Sequence, residues 1–222
     1  MNRATRITSA AKLDFYAAKS SMSMAFVLMI VAVAIGFVTH GPYYSMILTM
    51  VFGVTSSGSV FSVHEKCHSD KLYGILPLKK SEMIAGRYLY GLVIGVAYLL
   101  LSAILGLILS LVISGKVDAL PYWASLAFAF AYFGFAVGVA YPVYLKFSFA
   151  KAYVFTMLPM YLLAVLFLVV THKTNLVSGI GGAVAFFTSH IALLPVIGLI
   201  AGLALMAVSI VIANLIYTRK EI

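Results

Sequence analysis

Residues Tyr88–Ser114 read YLYGLVIGVAYLLLSAILGLILSLVIS, a stretch without one Asp, Glu, Lys or Arg. At about 1.5 Å of rise per residue, this run as a helix exceeds the ~30 Å hydrocarbon thickness of a bilayer. The surrounding chain has the same character: of 222 residues, 64% are hydrophobic and 9% charged, and the mean hydropathy is +1.10. No soluble core of this length needs apolar runs so long, so the chain is a polytopic membrane protein. Working outward from Tyr88–Ser114, further charge-free runs lie at Met22–Thr39, Tyr43–Val63, Pro121–Leu145, Ala152–Val170 and Ile191–Tyr217, which makes six candidate spans. The runs lack the two-residue alternation of an outer-membrane barrel, and helices are the remaining way to satisfy backbone groups in hydrocarbon. The expected fold is an all-α membrane protein of six transmembrane helices, forming a single domain over residues 1–222.

The basic residues set the expected orientation. Arg3, Arg6, Lys12 and Lys19 precede span one; Lys66, Lys71, Lys79, Lys80 and Arg87 lie between spans two and three; Lys146 and Lys151 lie between four and five; Arg219 and Lys220 close the chain. Of the 15 Lys and Arg residues only Lys116 and Lys173 fall on the other side, so the positive-inside rule predicts both termini in the cytoplasm. Topology and attraction to anionic headgroups account for the formal net charge of +9, and no nucleic-acid partner is implied, because no basic patch is interleaved with aromatics on a soluble domain. Residues 1–21 are expected to form a cytoplasmic or interfacial N-terminus, with a surface helix over Thr5–Ser20. They carry Asp14 among four basic residues and no cleavage site follows span one, so that span is expected to stay as an anchor. The single Cys67 excludes an internal disulfide and falls on the reducing side.

Absences narrow the function. No Asp, Glu, Lys or Arg lies deep in any span, whereas ion-coupled carriers place an ionisable group near the midplane. Gly115-Lys116 continues to Val117 and lacks the upstream glycine of a phosphate-cradling loop, so ATP hydrolysis would fall to another polypeptide. The chain itself is not expected to be an enzyme.

The polar segment of residues 64–87 is where a soluble partner can push. Leu72, Ile75 and Leu76 stand at i, i+3 and i+4, the stripe of a short helix. Pro77 then breaks the backbone pattern. Helix resumes near Lys79–Glu82, with the Glu82 carboxylate in the first turn, where it suits the positive helix end. The plainer reading is a connecting loop whose apolar residues dip into the headgroups.

Glu65, Tyr73, Leu76-Pro77-Leu78-Lys79-Lys80-Ser81-Glu82-Met83-Ile84 and Arg87-Tyr88-Leu89 resemble the cytoplasmic signature of six-span permeases of the type-2 ABC exporter superfamily. That pattern runs Leu-Pro, an apolar residue, a small hydroxyl residue, basic residues, Glu, two apolar residues, then a basic residue, Tyr and Leu. Lys79 stands where the family has the helix-capping hydroxyl, and Ser81 is the alternative cap, two residues further on. The resemblance implies a permease subunit that pairs with a second permease subunit, identical or related, in the lipid membrane, and with a cytoplasmic ABC ATPase dimer. No cofactor is expected in this chain; ATP and Mg would be bound by the partner ATPase. Residues 64–87 would form the coupling segment, with Leu72, Tyr73, Ile75, Leu76 and Leu78 in an ATPase groove, Lys79, Lys80 and Glu82 as rim charges, and Glu65 and Arg87 holding the structure around it. The expected location is the bacterial cytoplasmic membrane.

The resemblance also places the substrate path along spans two and five. Ser56, Ser57, Ser59 and Phe61 in span two, and Tyr153, Phe155, Met157, Met160 and Tyr161 in span five, are the residues singled out for it; each has a plainer role in helix packing. Such a path, without fixed charge, suits an amphipathic or apolar cargo such as a peptide, lipid or drug-like molecule. The pairs Gly91/Gly95, Gly134/Gly138 and Gly198/Gly202 have the small-xxx-small spacing of close helix packing, expected here within one subunit. Residues 171–190 are apolar, glycine-rich and too short to span, and are expected as an extracellular cap or re-entrant segment.

A different class competes. His64-Glu65-Lys66-Cys67-His68 matches His-Glu-x-x-His, which on one helix turns two histidines toward a zinc ion with the glutamate as general base, the signature of a membrane-embedded zinc metalloprotease. A third ligand is needed, and Glu82 is the only plausible one by topology. A permease, by contrast, has no need of either histidine.

Overall fold

The computed structural model describes residues 3–19, 22–67, 79–156 and 193–218. These form seven helices: α1 (Arg3–Ala18), α2 (Met22–Val38), α3 (Pro42–Lys66), α4 (Lys80–Ser114), α5 (Ala119–Lys146), α6 (Phe149–Thr156) and α7 (Leu194–Thr218). Among the described residues there is no strand. Four stretches are long and apolar enough to cross a membrane, Pro42–Lys66, Ser81–Ser114, Ala119–Lys146 and Val196–Ile216, and a shorter apolar helix covers Val27–Val38. Expected span five is described only through Thr156, and the expected cap at 171–190 lies outside the described residues.

The connections follow from local chemistry. The end of α2 is a Schellman turn: the His40 N–H donates to Phe37 O at 3.2 Å and the Gly41 N–H to Gly36 O at 3.2 Å, with His40 in the left-handed region at φ 49°. Pro42 then opens α3 at a position where its missing N–H costs nothing. Helix α4 ends on Gly115 at φ 68°, whose N–H returns to Leu111 O at 3.1 Å. This left-handed cap needs no Cβ, and the short turn that follows sets α4 and α5 antiparallel.

The bundle is densest between α5 and α7, and glycine is the reason. A Cβ on Gly134 would fall 2.5 Å from Gly202 O and 2.6 Å from Gly202 Cα, so the two backbones touch there. Gly198 meets the Ala127 backbone in the same way. On α4, Gly91 leaves room for the Tyr141 hydroxyl and Gly95 for the Phe133 ring. All three small-xxx-small pairs thus face neighbours within this chain, as their spacing suggested.

Proline enters α5 at Pro142. It has no N–H for Gly138 O, four residues back, and a carbonyl freed inside a membrane-spanning helix needs another donor. Helix α7 supplies it: Ser209 Oγ donates to Gly138 O at 2.7 Å.

Candidate functional site

The charged contacts gather where α3 ends and α4 begins, beneath α1. Helix α1 is soluble in composition but buries Ala10, Asp14 and Ala18, which recur every four residues and form one face. That face crosses α4 at Gly86, where an added Cβ would lie 2.6 Å from Ala10 Cβ and 3.1 Å from Ile7 O. The expected surface helix over Thr5–Ser20 therefore exists as α1, but it is docked on the bundle through this face.

Two polar side-chain contacts fasten it. The Asp14 carboxylate, 1% exposed, lies 2.8 Å from His64 Nε2 on α3. Arg6 Nε lies 3.5 Å from Glu82 Oε1 on α4, with Glu82 side chain 3% exposed. Glu82 also accepts the Lys79 N–H at 3.1 Å, so it caps the helix it belongs to. The first residue of α4 is Lys80 and its cap is Lys79, which corrects the alternative start at Ser81. Lysine has no acceptor, so only the glutamate half of a capping box is formed, and the negative charge sits at the positive helix end. Glu82 is accordingly turned inward toward Arg6.

Glu65 is exposed at the end of α3 and accepts the Phe149 N–H, the first of α6, again a carboxylate at a helix N-terminus. Arg87 is 6% exposed and lies over the Phe61 ring at 5.1 Å, within the ~6 Å reach of a cation–π contact. Phe61 in turn packs edge-on against Tyr141 at 5.0 Å and stacks on Tyr144 at 5.0 Å. Tyr144 stacks on Phe149 at 5.1 Å, and Phe149 meets Tyr153 at 5.7 Å. A continuous run of rings thus joins α3, α5 and α6 at the level where α4 starts.

The residues expected to meet an ATPase divide accordingly. Leu72, Tyr73, Ile75, Leu76 and Leu78 lie outside the described residues; Lys79 is exposed at the start of α4 and Glu82 is buried. Of the expected path residues, Met157, Met160 and Tyr161 also lie outside them. Ser57 is 0% exposed and Phe61 6%; both are enclosed by this chain's own helices. Ser56 shares a 2.6 Å hydrogen bond with Tyr98, and Ser59 Oγ donates to Ser56 O at 2.7 Å; both keep some surface. Tyr153 is 45% exposed. Asp14 and Arg6 went unread as site residues, although a lone acid among basic residues on an apolar-faced segment was the available signal.

The zinc reading does not fit this arrangement. A two-histidine zinc face needs unbroken helix from the first histidine to the second, but α3 ends at Lys66 with Cys67 as its cap. His64 faces Asp14, Glu65 faces Phe149, and Glu82, the proposed third ligand, is paired with Arg6 and accepts from its own helix end. Among the described residues no group of three His, Cys, Asp or Glu is placed to hold a metal.

Fold and site together define a polytopic helical membrane protein whose N-terminal helix is locked over the root of a polar segment between two spans. The family model for ABC-2 family transporter proteins matches residues 11–218, and the chain belongs to that family: it is an ABC-2 type permease. No curated protein and no solved structure matches the chain.

Proposed function

We propose that the chain is the membrane-spanning half of an ATP-driven exporter, six-spanned with both termini in the cytoplasm of a bacterial cell, and driven through residues 64–87 by a cytoplasmic ATPase dimer. The single observation behind this reading is the anchoring of both ends of that segment. Its N-terminal root is α3, tied by His64 to Asp14, and its C-terminal root is α4, tied by Glu82 to Arg6. A force applied between two such fastened helices moves helices rather than a slack connection. A second permease subunit would complete the path, and the apolar, uncharged character of the spans favours an amphipathic or apolar cargo. Lys79 and Lys80 are suited to rim charges, and Ser56, Ser59 and Tyr153 to the path.

Coupling is tested by changing Ile75 and Leu76 together to Asp. The expected result is loss of ATPase stimulation and weaker co-purification of the ATPase with normal membrane insertion, because the two sites lie outside the spans. Full stimulation in that variant removes residues 64–87 as the coupling element. Orientation is tested with a membrane-impermeant maleimide on intact cells. Native Cys67, exposed at the end of α3, should stay unlabelled, whereas a Lys116→Cys variant lacking Cys67 should label, since the Lys116 side chain is 73% exposed at the opposite end. External labelling of Cys67 reverses the topology.

A further inference from the structure

Pro142 and Ser209 belong to a larger arrangement. Ser209 Oγ gives its proton to Gly138 O at 2.7 Å, so its oxygen is left to accept, and the Tyr88 hydroxyl lies 2.5 Å away. The direction of the relay is therefore set: Tyr88 O–H to Ser209 O–H to Gly138 C=O. Tyr88 and Ser209 are each 3% exposed, and α4, α7 and α5 contribute one member each. Tyr88 is nine residues beyond the Lys79 cap, about 13 Å along the helix that begins at the end of the polar segment. Its ring meets Tyr141, the neighbour of Pro142, edge-on at 5.0 Å.

We infer that Tyr88 and Ser209 are positioning residues that hold the proline-interrupted turn of α5 and pass displacement of α4 to α5 and α7. The physical case is that a carbonyl without its helical donor has two fates in a span: it is met by a side chain, or the turn must rearrange to find another donor. Ser209 fixes the first fate only while α7 keeps its register against Gly138. Tyr88 fixes the orientation of that hydroxyl only while α4 keeps its own register. A shift of α4 by more than the tolerance of a short hydrogen bond, a few tenths of an ångström, is therefore felt at the turn of α5. The transmission half of this inference rests on the exporter reading; the structural half does not.

The structural half is tested on the purified full chain in detergent by a thermal-unfolding cycle. Ser209→Ala should lower Tm by roughly 2–10 °C, because it strands a buried carbonyl. Pro142→Ala restores an N–H for Gly138 O, so the same Ser209→Ala change made in that background should lower Tm by less than half as much, and Ser209→Thr should behave as wild type. Equal losses in both backgrounds overturn the lock. The transmission half is tested by Tyr88→Phe in vesicles reconstituted with the cognate ATPase. That variant leaves Ser209 bonded to Gly138, so co-purification should be unchanged while ATPase stimulation falls several-fold, which a purely structural tyrosine would not produce. Unchanged stimulation overturns transmission. Stimulation that survives the Ile75/Leu76 double change to Asp removes the segment between α3 and α4 as the coupling element instead, and the thermal cycle stands or falls independently of both.

Discussion

Gly134→Leu is expected to abolish the folded protein, whereas Gly138→Ala, one turn away on the same helix, is expected to leave it nearly unchanged. At Gly134 the first carbon of any side chain would sit 2.5 Å from Gly202 O, 2.6 Å from Gly202 Cα and 2.8 Å from Gly202 C. Every one of those atoms is backbone and cannot turn aside, so α5 and α7 would have to separate at their closest point. Forced overpacking of this kind costs about 1–3 kcal/mol for a few methylenes and more where the backbone is the obstacle. Separation would also disturb the Gly198 and Gly202 contacts with α5, so the loss is not confined to one residue. At Gly138 the nearest atoms would be Leu205 O at 3.5 Å and Ser209 Cβ at 3.7 Å, which is ordinary van der Waals distance. Size-exclusion profiles of fluorescently tagged variants in detergent, with thermal melts of whatever remains monodisperse, check both. A Gly134→Leu protein with the wild-type melting temperature would show that the α5–α7 contact is not as close as described.

The second large effect is expected at His64. The sequence alone suggested that a permease would be indifferent to this histidine, and the structure reverses that expectation. His64→Ala removes a 2.8 Å partner from the Asp14 carboxylate, which is 1% exposed. Weakening the solvation of a buried charged group costs about 1–3 kcal/mol or more. Because Asp14 sits in the middle of the Ala10–Ala18 face by which α1 docks, the cost falls on the docking of that helix. In inside-out vesicles, trypsin should therefore cut more readily after Lys12 and Lys19 in His64→Ala than in wild type, and ATPase stimulation should fall with it. Asp14→Ala should reproduce both effects. That second variant separates the explanations, since a zinc site built on His64 and Glu65 has no use for Asp14. Retained protection of α1 in both variants would mean that Arg6–Glu82 and the Gly86 crossing hold the helix unaided.

How much of this was legible beforehand differs from element to element. The class was legible because it depends on additive quantities: Tyr88–Ser114 is too long and too apolar to be anything but a span, whatever packs against it. The boundaries of α2, α3, α5 and α7 agree closely with the charge-free runs for the same reason. The polar segment between α3 and α4 was equally visible, as an island of charge in an apolar chain. Its family signature named the class, and the family match over residues 11–218 agrees with it.

What the one-dimensional string could not contain is which small or polar side chain meets which neighbour. Gly134 and Gly138 are equivalent members of one spacing motif, and only the crossing of α7 makes the first a backbone contact and the second an ordinary one. Ser56, Ser57 and Ser59 look like a row of path hydroxyls. The rotation of α3 encloses Ser57 completely and directs Ser56 to Tyr98. His64 and Glu65 read as halves of one zinc motif until the helix end at Lys66, the arrival of α1 and the start of α6 give them separate partners. Pro142 leaves Gly138 O without its helical donor, and the residue that replaces it, Ser209, lies 67 positions later, by the numbering, and on another helix. Burial in lipid is decided by composition summed over a run, which a sequence carries in full; a hydrogen bond or a steric limit is decided by the relative rotation and register of two helices, which exist only once the chain has packed.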